Sequence, residues 1–543
     1  MPQSRDDMIA LLKAMDEKER RKYGPKLSPE DREIYNACRW DLKRFALEFF
    51  PHICTDDFNA VHTDYYALYR DRHGTRGHKD VVAAPRGSSK TTGCAMVGIM
   101  HDCCYQNEAF IVYLTNRAEH ADIKVRDMRD ELEHNAKLVR IFGSQVGTPW
   151  NQGDFTTSHG VRVLAAGRQT QVRGITANMQ RPTKIVIDDA EYAEQVIKEE
   201  QRQKTWDWLM NDIMKLGQPS TNVEVSGTIL HPQSMLATLL KTPGWHGRHY
   251  KSVIQFANAD AIPHWQAWRQ LYVDLGNPNN MHDAYQYFLA HQDEMLAGTD
   301  VLWPTRRSYY DLMCTRLSEG ESSFWQELQN APQQDARFIF DMDDASYCRV
   351  LPEGIQRADG TYIPYLDIPQ VVAYWDPVPD KRQMIGTDFA ACPIIMQDKQ
   401  GYAYIVDCYV NQEVSTATQI KEIVELLWLW QVPMIGVESN GFQSLLAGNL
   451  REALLIKADT ERSPWTCGIL PIVNTRSKVL RIQSLESVVA NGWLQFSHNL
   501  PAQVYQQFAD FIPVDGAGKD DVPDAVEGAI RVVRGLYDSR AAF

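Results

Sequence analysis

"VVAAPRGSSKTTG", Val81 to Gly93, has the layout of a phosphate-binding loop: an apolar strand, a loop of small residues, then Lys90 and Thr91 where a helix can begin. Such a loop needs backbone N–H groups that converge on an anion, a lysine that reaches the outer phosphates and a hydroxyl that binds Mg²⁺. Ala84 and Ser89 stand where the usual pattern has glycine. Small residues keep that backbone approachable, so the stretch predicts either a nucleotide site or a structural strand–loop–helix.

A second element, about a hundred residues further on, decides between these two interpretations. "KIVIDDAE" is an apolar strand that ends in Asp188 and Asp189, where ATPases of this kind carry a metal-holding and a water-activating carboxylate. A buried strand that ends in a polar turn is a common alternative for one such motif. The two elements together, in this order and both on strands, favour a working ATP site.

The composition is that of a globular protein with more than one domain. The chain has 543 residues, which is too long for a single ordinary core and predicts two or three domains. Hydrophobic residues make up 44% and charged residues 23%, so the chain can bury large cores. The formal net charge of -14 argues against a protein that coats DNA or an anionic membrane through bulk charge. Contact with nucleic acid therefore needs local basic patches.

Cysteine spacing and hydropathy indicate the compartment. The ten cysteines include no C-x-x-C pair, which favours reduced thiols over a zinc knuckle. The charged N-terminus has no apolar signal segment, and no run approaches the roughly 18 apolar residues that span a bilayer. We therefore expect a protein of the cytoplasm that makes no contact with a membrane.

Short apolar runs alternate with amphipathic helical segments from Val81 onward, which predicts an α/β fold with a mostly parallel sheet. The expected strands of the first half are "VVAAP", "AFIVYLT", "VRVLAAG", "KIVIDD", "NVEVSGTIL" and "KSVIQFA". A second series, "VVAYWDP", "CPIIMQD", "AYIVDCYV" and "PMIGVES", predicts a separate α/β domain. The expected organisation is an N-terminal helical segment at 1–40, an ATPase domain at 41–257, a helical lid or linker at 258–345, a second α/β domain at 346–535 and a tail at 536–543.

The second domain places acids at the ends of separate apolar strands and at a helix start. Asp376, Asp388 and Glu438 lie at the ends of three such strands, and Asp521 and Asp524 lie three residues apart in "KDDVPDAVEG". Cleavage of a phosphodiester without a covalent intermediate needs carboxylates that hold one or two divalent metals. Singly, each acid is more common as a cap or turn residue, but collectively they point to a nuclease.

At this point the chain resembles the large subunit of tailed-phage terminases, the motor that packages DNA into proheads and cuts it. "APRGSSKT" looks like the divergent Walker A motif of that family, and "VRGITANMQRPTKIVIDDAE" looks like the stretch that leads into Walker B. "VSGTILHPQSML" is similar to the coupling motif, and "FWQELQNAP" resembles the segment before the nuclease. The resemblance covers nearly the whole chain. It implies a P-loop ATPase domain of the ASCE type followed by an RNase H-like nuclease domain.

The resemblance also implies a role for each residue of the ATP site. Lys90 would hold the outer phosphates, and Thr91 and Asp188 would hold Mg²⁺. Asp189 would activate the attacking water, with Glu191 as its substitute. The implied ATP-binding set is Arg86, Gly87, Ser88, Ser89, Lys90, Thr91, Thr92 and Asp188.

Two further features of the ATPase domain follow from the resemblance. Arg86 matches an arginine of the family motif and would stabilise transition-state charge in cis. Arg173, in "VRGI", is a candidate for an arginine supplied to a neighbouring subunit. Ser226, Gly227 and Thr228 would form the core of the motif that couples hydrolysis to domain movement.

For the nuclease, the resemblance implies Mg²⁺ or Mn²⁺ held by acids of the second domain. The implied metal ligands are Asp376, Asp388, Glu438, Asp521 and Asp524, with Asp376, Glu438 and Asp524 as the catalytic set. Lys478 and Arg481 either position backbone phosphates or lie on a solvated helix face. His62 either lines an adenine pocket or packs beside aromatic residues.

The resemblance implies partners as well: double-stranded DNA, a portal protein, a small terminase subunit and a homo-oligomeric ring, usually of five subunits. Such a protein works in the host cell cytoplasm and is not part of the mature virion. Two alternatives stay open from the residues alone. One is a helicase-like P-loop ATPase without nuclease activity, and the other is a docking protein that keeps the fold but has lost its chemistry.

Overall fold

The computed structural model describes residues 27–72, 74–168, 170, 176–177, 179–332, 339–378, 389–412, 415–439, 444–513 and 518–535. The chain forms two compact units. The first comprises Met1–Ile254, Val301–Ser308 and Gln326–Pro332, and the second comprises Gln255–Asp300, Tyr309–Trp325 and Gln333–Phe543. No helix among the described residues is long and apolar enough to cross a membrane.

The first unit is built on one eight-stranded sheet with helices on its faces. Its strands are β1 (Lys79–Ala83), β2 (Phe110–Thr115), β3 (Val146–Trp150), β4 (Asp154–Thr157), β5 (Arg162–Gly167), β6 (Lys184–Asp188), β7 (Asn222–Gly227) and β8 (His246–His249). Its helices are α1 (Pro29–Cys38), α2 (Leu42–Phe49), α3 (Ala60–Asp71), α4 (Val97–Tyr105), α5 (Ala118–His134), α6 (Ala136–Phe142), α7 (Ala193–Ile197), α8 (Glu199–Trp208) and α9 (Met235–Leu239). Two π-helical segments, Lys90–Met96 and Leu209–Ile213, adjoin α4 and α8.

The strand order of this sheet is β3-β4-β5-β2-β6-β7-β1-β8. Strands β5, β2, β6, β7, β1 and β8 run parallel, whereas β3 and β4 add an antiparallel edge. β7 lies between β1 and β6, which is the strand arrangement of ASCE-type ATPases. The carboxyl ends of parallel strands open at one edge of a sheet, so the loop after β1 meets the acids after β6 there.

Burial explains why most of these strands were predictable. β2 and β6 are buried at every position and read as unbroken apolar runs, as parallel strands covered on both faces do. β3, β4 and β8 were not predicted. β3 ("VGTPW") contains glycine and proline, and β8 ("HGRH") is polar and exposed throughout, so neither carries an apolar pattern.

The remaining strands and helices belong mainly to the second unit. The strands are β9 (Val253–Gln255), β10 (Asp300–Val301), β11 (Tyr347–Leu351), β12 (Gly354–Gln356), β13 (Tyr362–Pro364), β14 (Gln370–Trp375), β15 (Ala390–Gln397), β16 (Ala403–Asn411), β17 (Met434–Glu438), β18 (Gly468–Ile472) and β19 (Leu494–Ser497). The helices are α10 (Ile262–Val273), α11 (Asn280–Ala290), α12 (Gln292–Met295), α13 (Tyr309–Glu319), α14 (Glu321–Ser323), α15 (Thr416–Leu429), α16 (Ser444–Thr460), α17 (Lys478–Gln483), α18 (Glu486–Ala490), α19 (Ala502–Ala509) and α20 (Asp521–Val533). Phe324–Leu328 is π-helical, and Ala259–Ala261 and Tyr365–Asp367 are 3₁₀ turns.

The second unit has a nine-stranded sheet of order β13-β12-β11-β19-β16-β15-β14-β17-β18. β14, β15 and β16 form an antiparallel meander, and β17 and β18 continue from β14 as parallel strands. This 3-2-1-4-5 order is that of the central sheet of an RNase H-like fold, the α/β fold that the resemblance implied for this part of the chain. The structure adds β11, β12, β13, β18 and β19, which were not predicted from the sequence.

Helix α20 lies closely against this sheet because two glycines flank Tyr374. A Cβ on Gly528 would lie 2.6 Å from Tyr374 Cζ, and one on Gly436 would lie 2.8 Å from Tyr374 Cδ2. Only glycine permits these approaches. The first turn of α20 is thereby held near the carboxyl ends of β14 and β17.

Candidate ATP site and candidate metal centre

Two residues of the loop after β1 have left-handed backbone, although Ala84 and Ser89 stand where the usual phosphate-binding pattern has glycine. Gly87 has φ 80° and Ser89 has φ 64°, so both lie in the left-handed region. A non-glycine residue there costs on the order of 1–2 kcal/mol. Ser89 therefore adopts, at a cost, a conformation that the usual glycine would adopt freely. The loop has kept the geometry and changed the residue.

The helix that follows begins with a wide π-helical segment, Lys90–Met96. The Tyr66 hydroxyl donates to the carbonyl of Gly93 at 2.5 Å, which satisfies a backbone group within the wide turn. A Cβ on Gly93 would lie 2.6 Å from His62 Nε2, so the segment packs tightly on α3. π-helical turns occur frequently at functional sites, as this one does.

Lys90 is buried, and its ammonium group faces the end of β7 and an acid that follows β6. Lys90 Nζ donates to Thr228 Oγ1 at 3.2 Å and lies 3.5 Å from Asp189 Oδ1. Thr228 Oγ1 in turn donates to the carbonyl of Ala84 at 3.2 Å. The lysine is therefore held at the loop by two neighbours, ready for an anionic ligand.

Asp188, at the end of β6, is buried and accepts two hydroxyl hydrogen bonds. Tyr113 donates to its Oδ2 at 2.9 Å, and Ser226 donates to its Oδ1 at 2.6 Å. Tyr113 was missed by the sequence analysis, because its place in a buried strand looks like ordinary core. Fixed carboxylate oxygens beside a phosphate loop are the ligands that Mg²⁺ prefers.

Asp189 and Glu191, the two candidates for activating water, differ in what they contact. Asp189 has φ 45° and keeps 52% of its side chain exposed while it faces Lys90. Desolvation raises its pKa to about 6, with the Lys90 charge lowering it and the Asp188 charge raising it. Glu191 is buried and accepts hydrogen bonds from the backbone N–H groups of Met235, at 2.8 Å, and Leu236, at 3.2 Å. Glu191 therefore caps helix α9, and Asp189 faces the loop lysine.

The three residues that were predicted to form a coupling motif all contact the loop or its acids. Ser226 binds Asp188 and Thr228 binds Lys90, as described above. The carbonyl of Gly227 accepts a hydrogen bond from Ala84 N at 2.9 Å. A Cβ on Gly227 would lie 3.3 Å from Leu236 Cδ2 and 3.4 Å from Asp189 Oδ1, so Gly227 lies directly beside the acid. The carboxyl end of β7 therefore contacts both the loop after β1 and the acids at the end of β6.

The other predicted loop residues have distinct positions. Arg86 is exposed, with its backbone N–H donating to the carbonyl of Glu327 at 2.9 Å and its guanidinium 4.0 Å from the Glu327 carboxylate. The Ser88 hydroxyl is buried without a hydrogen-bond partner among the described residues, as a donor awaiting a phosphate would be. Thr91 and Thr92 lie partly buried in the first turn after Lys90. Arg173 lies outside the described residues.

Asn59 and His62 support the loop from behind. Asn59 caps α3 through Val61 N and His62 N, and its Nδ2 donates to the carbonyl of Ser88 at 3.3 Å. His62 is buried, which lowers its pKa to about 4, and its Nδ1 accepts from Asn59 N at 3.3 Å. These contacts are those of a neutral packing residue. Asn59 was missed, although an asparagine before a helix is a recognisable cap.

Three acids of the second unit converge as the sequence pattern suggested. Asp376 follows β14, Glu438 ends β17 and Asp524 lies in the first turn of α20, and each offers an oxygen within 4.8 Å of the others. Parallel pairing of Trp375 with Val437 makes the first two acids emerge side by side. Backbone hydrogen bonds of 2.9 and 3.2 Å to Ala391 fix Asp376 further.

The electrostatics of this cluster fit a divalent cation. Burial and the neighbouring charges of Glu438 and Asp524 hold the pKa of Asp376 well above its usual range. Burial also raises the pKa of Asp524, although Arg481 opposes that effect. Grouped carboxylates are costly without a compensating charge, and hard oxygen ligands suit Mg²⁺ and Mn²⁺. The three acids are therefore the residues that would hold the metal.

Two cations lie against these acids. Arg481 donates from Nη2 to both oxygens of Asp524, at 2.7 and 2.6 Å. Lys478 Nζ lies 2.8 Å from Asp521 and 2.7 Å from Asp520. Arg481 is buried, so it does not belong to a solvated helix face. Its burial could not be read from the sequence, because the partner lies forty-three residues away.

Asp521 and Asp388 are the two other predicted metal ligands of the second domain. Asp521 is buried and accepts the N–H of Phe389 at 2.9 Å in addition to the Lys478 ammonium. Its carboxylate is therefore engaged beside the three-acid cluster. Asp388 lies outside the described residues.

Comparisons with known proteins give matches among solved structures only. No protein-family profile and no curated protein sequence matches the chain. The large terminase of the thermophilic bacteriophage D6E with ADP is similar over 88% of this chain and 100% of its own, with 9% identity and a TM-score of 0.46. The human cytomegalovirus terminase nuclease domain covers 32% of this chain and 85% of its own, with 14% identity and a TM-score of 0.25. The nuclease domain of the Sf6 large terminase subunit covers 30% and 88%, with 10% identity and a TM-score of 0.23. These structures carry the name of the family that the sequence motifs resemble.

Proposed function

We propose that this chain is a terminase large subunit: an ATPase that translocates double-stranded DNA into a prohead, joined to a metal-dependent endonuclease that cuts concatemeric DNA. The observation that carries the proposal is the presence of two chemically distinct sites in one chain. One is a loop lysine that faces an acid pair at the edge of an ASCE-ordered sheet. The other is a three-carboxylate cluster on an RNase H-ordered sheet.

In the proposed ATPase, Lys90 and the loop N–H groups bind the β- and γ-phosphates of ATP. Thr91 and Asp188 hold Mg²⁺, and the buried Ser88 hydroxyl supplies a further donor. Asp189 accepts the proton of the attacking water. A base with a pKa of about 6 is ionised at neutral pH yet basic enough to accept that proton. Arg86 and an arginine from a neighbouring subunit, for which Arg173 is the candidate, stabilise transition-state charge.

The coupling step follows from the hydrogen bonds of β7. The Lys90 ammonium, which contacts Thr228, would also bind the ATP phosphates, and the Asp188 carboxylate, which accepts from Ser226, would also hold the metal. Binding and hydrolysis therefore change the contacts at the carboxyl end of β7. That strand end carries the signal to the rest of the motor.

In the proposed nuclease, Asp376, Glu438 and Asp524 would hold Mg²⁺ or Mn²⁺, and the bound metal would supply Lewis-acid polarisation of the phosphodiester and an activated water. The rigid positions of the acids fix where the scissile phosphate sits. Lys478 is half-buried beside them and is placed to attract a backbone phosphate. Recognition of the sugar–phosphate backbone suits cutting and translocation without sequence preference.

The same proposal includes partners and location. We propose a homo-oligomeric ring, with five subunits as in the family, that docks on a portal protein and receives DNA from a small terminase subunit. The ring acts in the host cell cytoplasm and does not remain in the mature virion. The match of the two sites to the motifs of the family supports these assignments.

The test is incubation of the purified protein with supercoiled plasmid, with and without ATP, Mg²⁺ and Mn²⁺. We expect ATP hydrolysis that requires Mg²⁺, and nicking or linearisation that requires a divalent metal. Strand separation without any nicking would favour the helicase-like ATPase. Absence of both ATP hydrolysis and cleavage would favour the docking protein and refute the proposal.

A further inference from the structure

The guanidinium of Arg481 forms an ion pair with the carboxylate of Asp524, one of the three acids of the candidate metal centre. It makes three contacts: Nη2 to both oxygens, at 2.7 and 2.6 Å, and Nε to Oδ1, at 3.1 Å. The side chains are only 7% and 5% exposed, so water does not weaken the pair. An ion pair of this geometry is among the strongest that proteins form.

This pairing conflicts with metal binding. A Mg²⁺ or Mn²⁺ ligand oxygen lies about 2.0–2.1 Å from the ion, so the ion and the guanidinium would share the same two oxygens. A carboxylate has about four lone-pair sites, and three hydrogen bonds already use most of them. Two cations held that closely repel each other strongly. Asp524 can serve the metal fully only when Arg481 releases it.

The surroundings give Arg481 an alternative partner. Its Nε lies 3.9 Å from Glu527, one turn along α20 from Asp524. The backbone of DNA supplies a second alternative, because arginine binds phosphate in the same two-pronged way as carboxylate. Lys478, one turn earlier on α17, is half-buried and would meet the same strand of DNA.

We propose that Arg481 is a positioning residue that blocks the metal centre until DNA arrives. In the DNA-free protein it holds Asp524 and keeps divalent metal affinity low. A backbone phosphate then draws the guanidinium away, and Asp524 turns to the metal. The nuclease is thereby assembled by its substrate, which limits metal-dependent cutting to DNA already seated in the site. This inference rests on the proposed nuclease function.

The test is Mn²⁺ affinity of the full-length, DNA-free protein, measured by isothermal titration calorimetry. We expect Arg481→Gln to bind Mn²⁺ at least tenfold more tightly than the wild type. Arg481→Lys keeps the positive charge and should stay within about threefold of the wild type. Arg357→Gln is the matched control, because Arg357 is likewise buried and pairs with Asp359 at 2.8 Å outside the three-acid cluster. Its affinity should equal that of the wild type.

A second arm uses phosphorothioate duplex DNA, which resists cleavage. It should tighten Mn²⁺ binding by the wild type at least tenfold more than by Arg481→Gln, because in the variant no arginine has to leave Asp524. Should Arg481→Gln misfold in a thermal melt, this DNA dependence in the wild type and in Arg481→Lys decides the matter. Mn²⁺ affinity of the wild type that DNA does not change would overturn the proposal.

The controls separate this inference from the nuclease assignment. If Asp376→Asn loses Mn²⁺ binding while Arg481→Gln binds no more tightly than the wild type, the nuclease stands and the gate is refuted. If Asp376→Asn binds Mn²⁺ as the wild type does, the metal centre itself is wrong and the inference fails with it.

Discussion

Replacement of Asp376 by asparagine should stabilise the metal-free protein while it removes DNA cleavage. Asp376 and Glu438 offer oxygens within 4.8 Å of each other. At an effective dielectric constant of about 20, two like charges at that distance repel by about 3 kcal/mol. Asp524 adds a smaller repulsion than Glu438, because Arg481 pairs with it at 2.6 Å. Asparagine keeps the shape of the side chain and the backbone pairing with Ala391 but removes the charge.

Partial protonation of Asp376 already relieves some of this repulsion in the wild type, since the pKa of Asp376 lies well above its usual range. We therefore expect a gain of about 2 kcal/mol at neutral pH in EDTA. For a domain of this size, 1 kcal/mol shifts the thermal unfolding midpoint by roughly 2–4 °C, so the variant should melt about 4–8 °C higher than the wild type. Differential scanning calorimetry measures it, with Asp367→Asn as the control. Asp367 is an exposed aspartate paired with Lys399 at 2.9 Å, and its loss should change little.

In Mn²⁺, the wild type and not Asp376→Asn should have the higher melting temperature. A ligand at a hundred times its dissociation constant stabilises the folded state by about 2.7 kcal/mol, which the wild type should gain and Asp376→Asn should not. Plasmid nicking should disappear in the variant, and ATP hydrolysis should persist because the ATP site belongs to the other unit. A lower midpoint in EDTA, an unchanged Mn²⁺ shift, or nicking at the wild-type rate would each refute this account of Asp376.

Three further predictions concern the ATP site. Lys90→Ala should abolish ATP turnover and leave metal-dependent nicking largely intact, and wild-type turnover would show that the loop is structural. Asp189→Asn should bind fluorescent ATP analogues but hydrolyse ATP slowly. Glu191→Gln should mainly lower the melting temperature, because it weakens the cap of α9. If only Glu191→Gln hydrolyses ATP slowly, Glu191 and not Asp189 is the base. Because an acid with a pKa of about 6 works as a base only when ionised, kcat/KM for ATP should fall about tenfold per pH unit below pH 6, and a kcat/KM profile that stays flat down to pH 5 would exclude Asp189.

The sequence predicted the parts of the fold that carry strong apolar patterns. The buried strands β2 and β6 and the meander of β14 to β16 read directly as runs of apolar residues. β18 ("GILPI") is apolar but contains a proline, and β8 ("HGRH") is polar, so neither predicts a strand by itself. Pairing with a neighbouring strand makes both of them strands. Local patterns cannot report pairing between distant segments.

The candidate sites divide in the same way. Convergence of Asp376, Glu438 and Asp524 was predictable from strand-end positions, because parallel neighbours end at one edge of a sheet. The hydroxyl of Tyr113 on Asp188 and the guanidinium of Arg481 on Asp524 were not. A buried tyrosine or arginine is defined by a partner from another segment, and the sequence does not name that partner.

Ser89 shows how the loop can keep a left-handed backbone at a position where the motif usually has glycine. The loop needs a left-handed residue before Lys90, and serine adopts that conformation at φ 64° because surrounding contacts impose it. Asn59 holds the carbonyl of Ser88, and Thr228 holds that of Ala84, so both sides of the loop are fixed from outside it. The cost that glycine would have avoided is met by packing and hydrogen bonds. Loss of the Asn59 contact should therefore weaken nucleotide binding more here than in a loop with the usual glycine, because here the conformation depends on its neighbours.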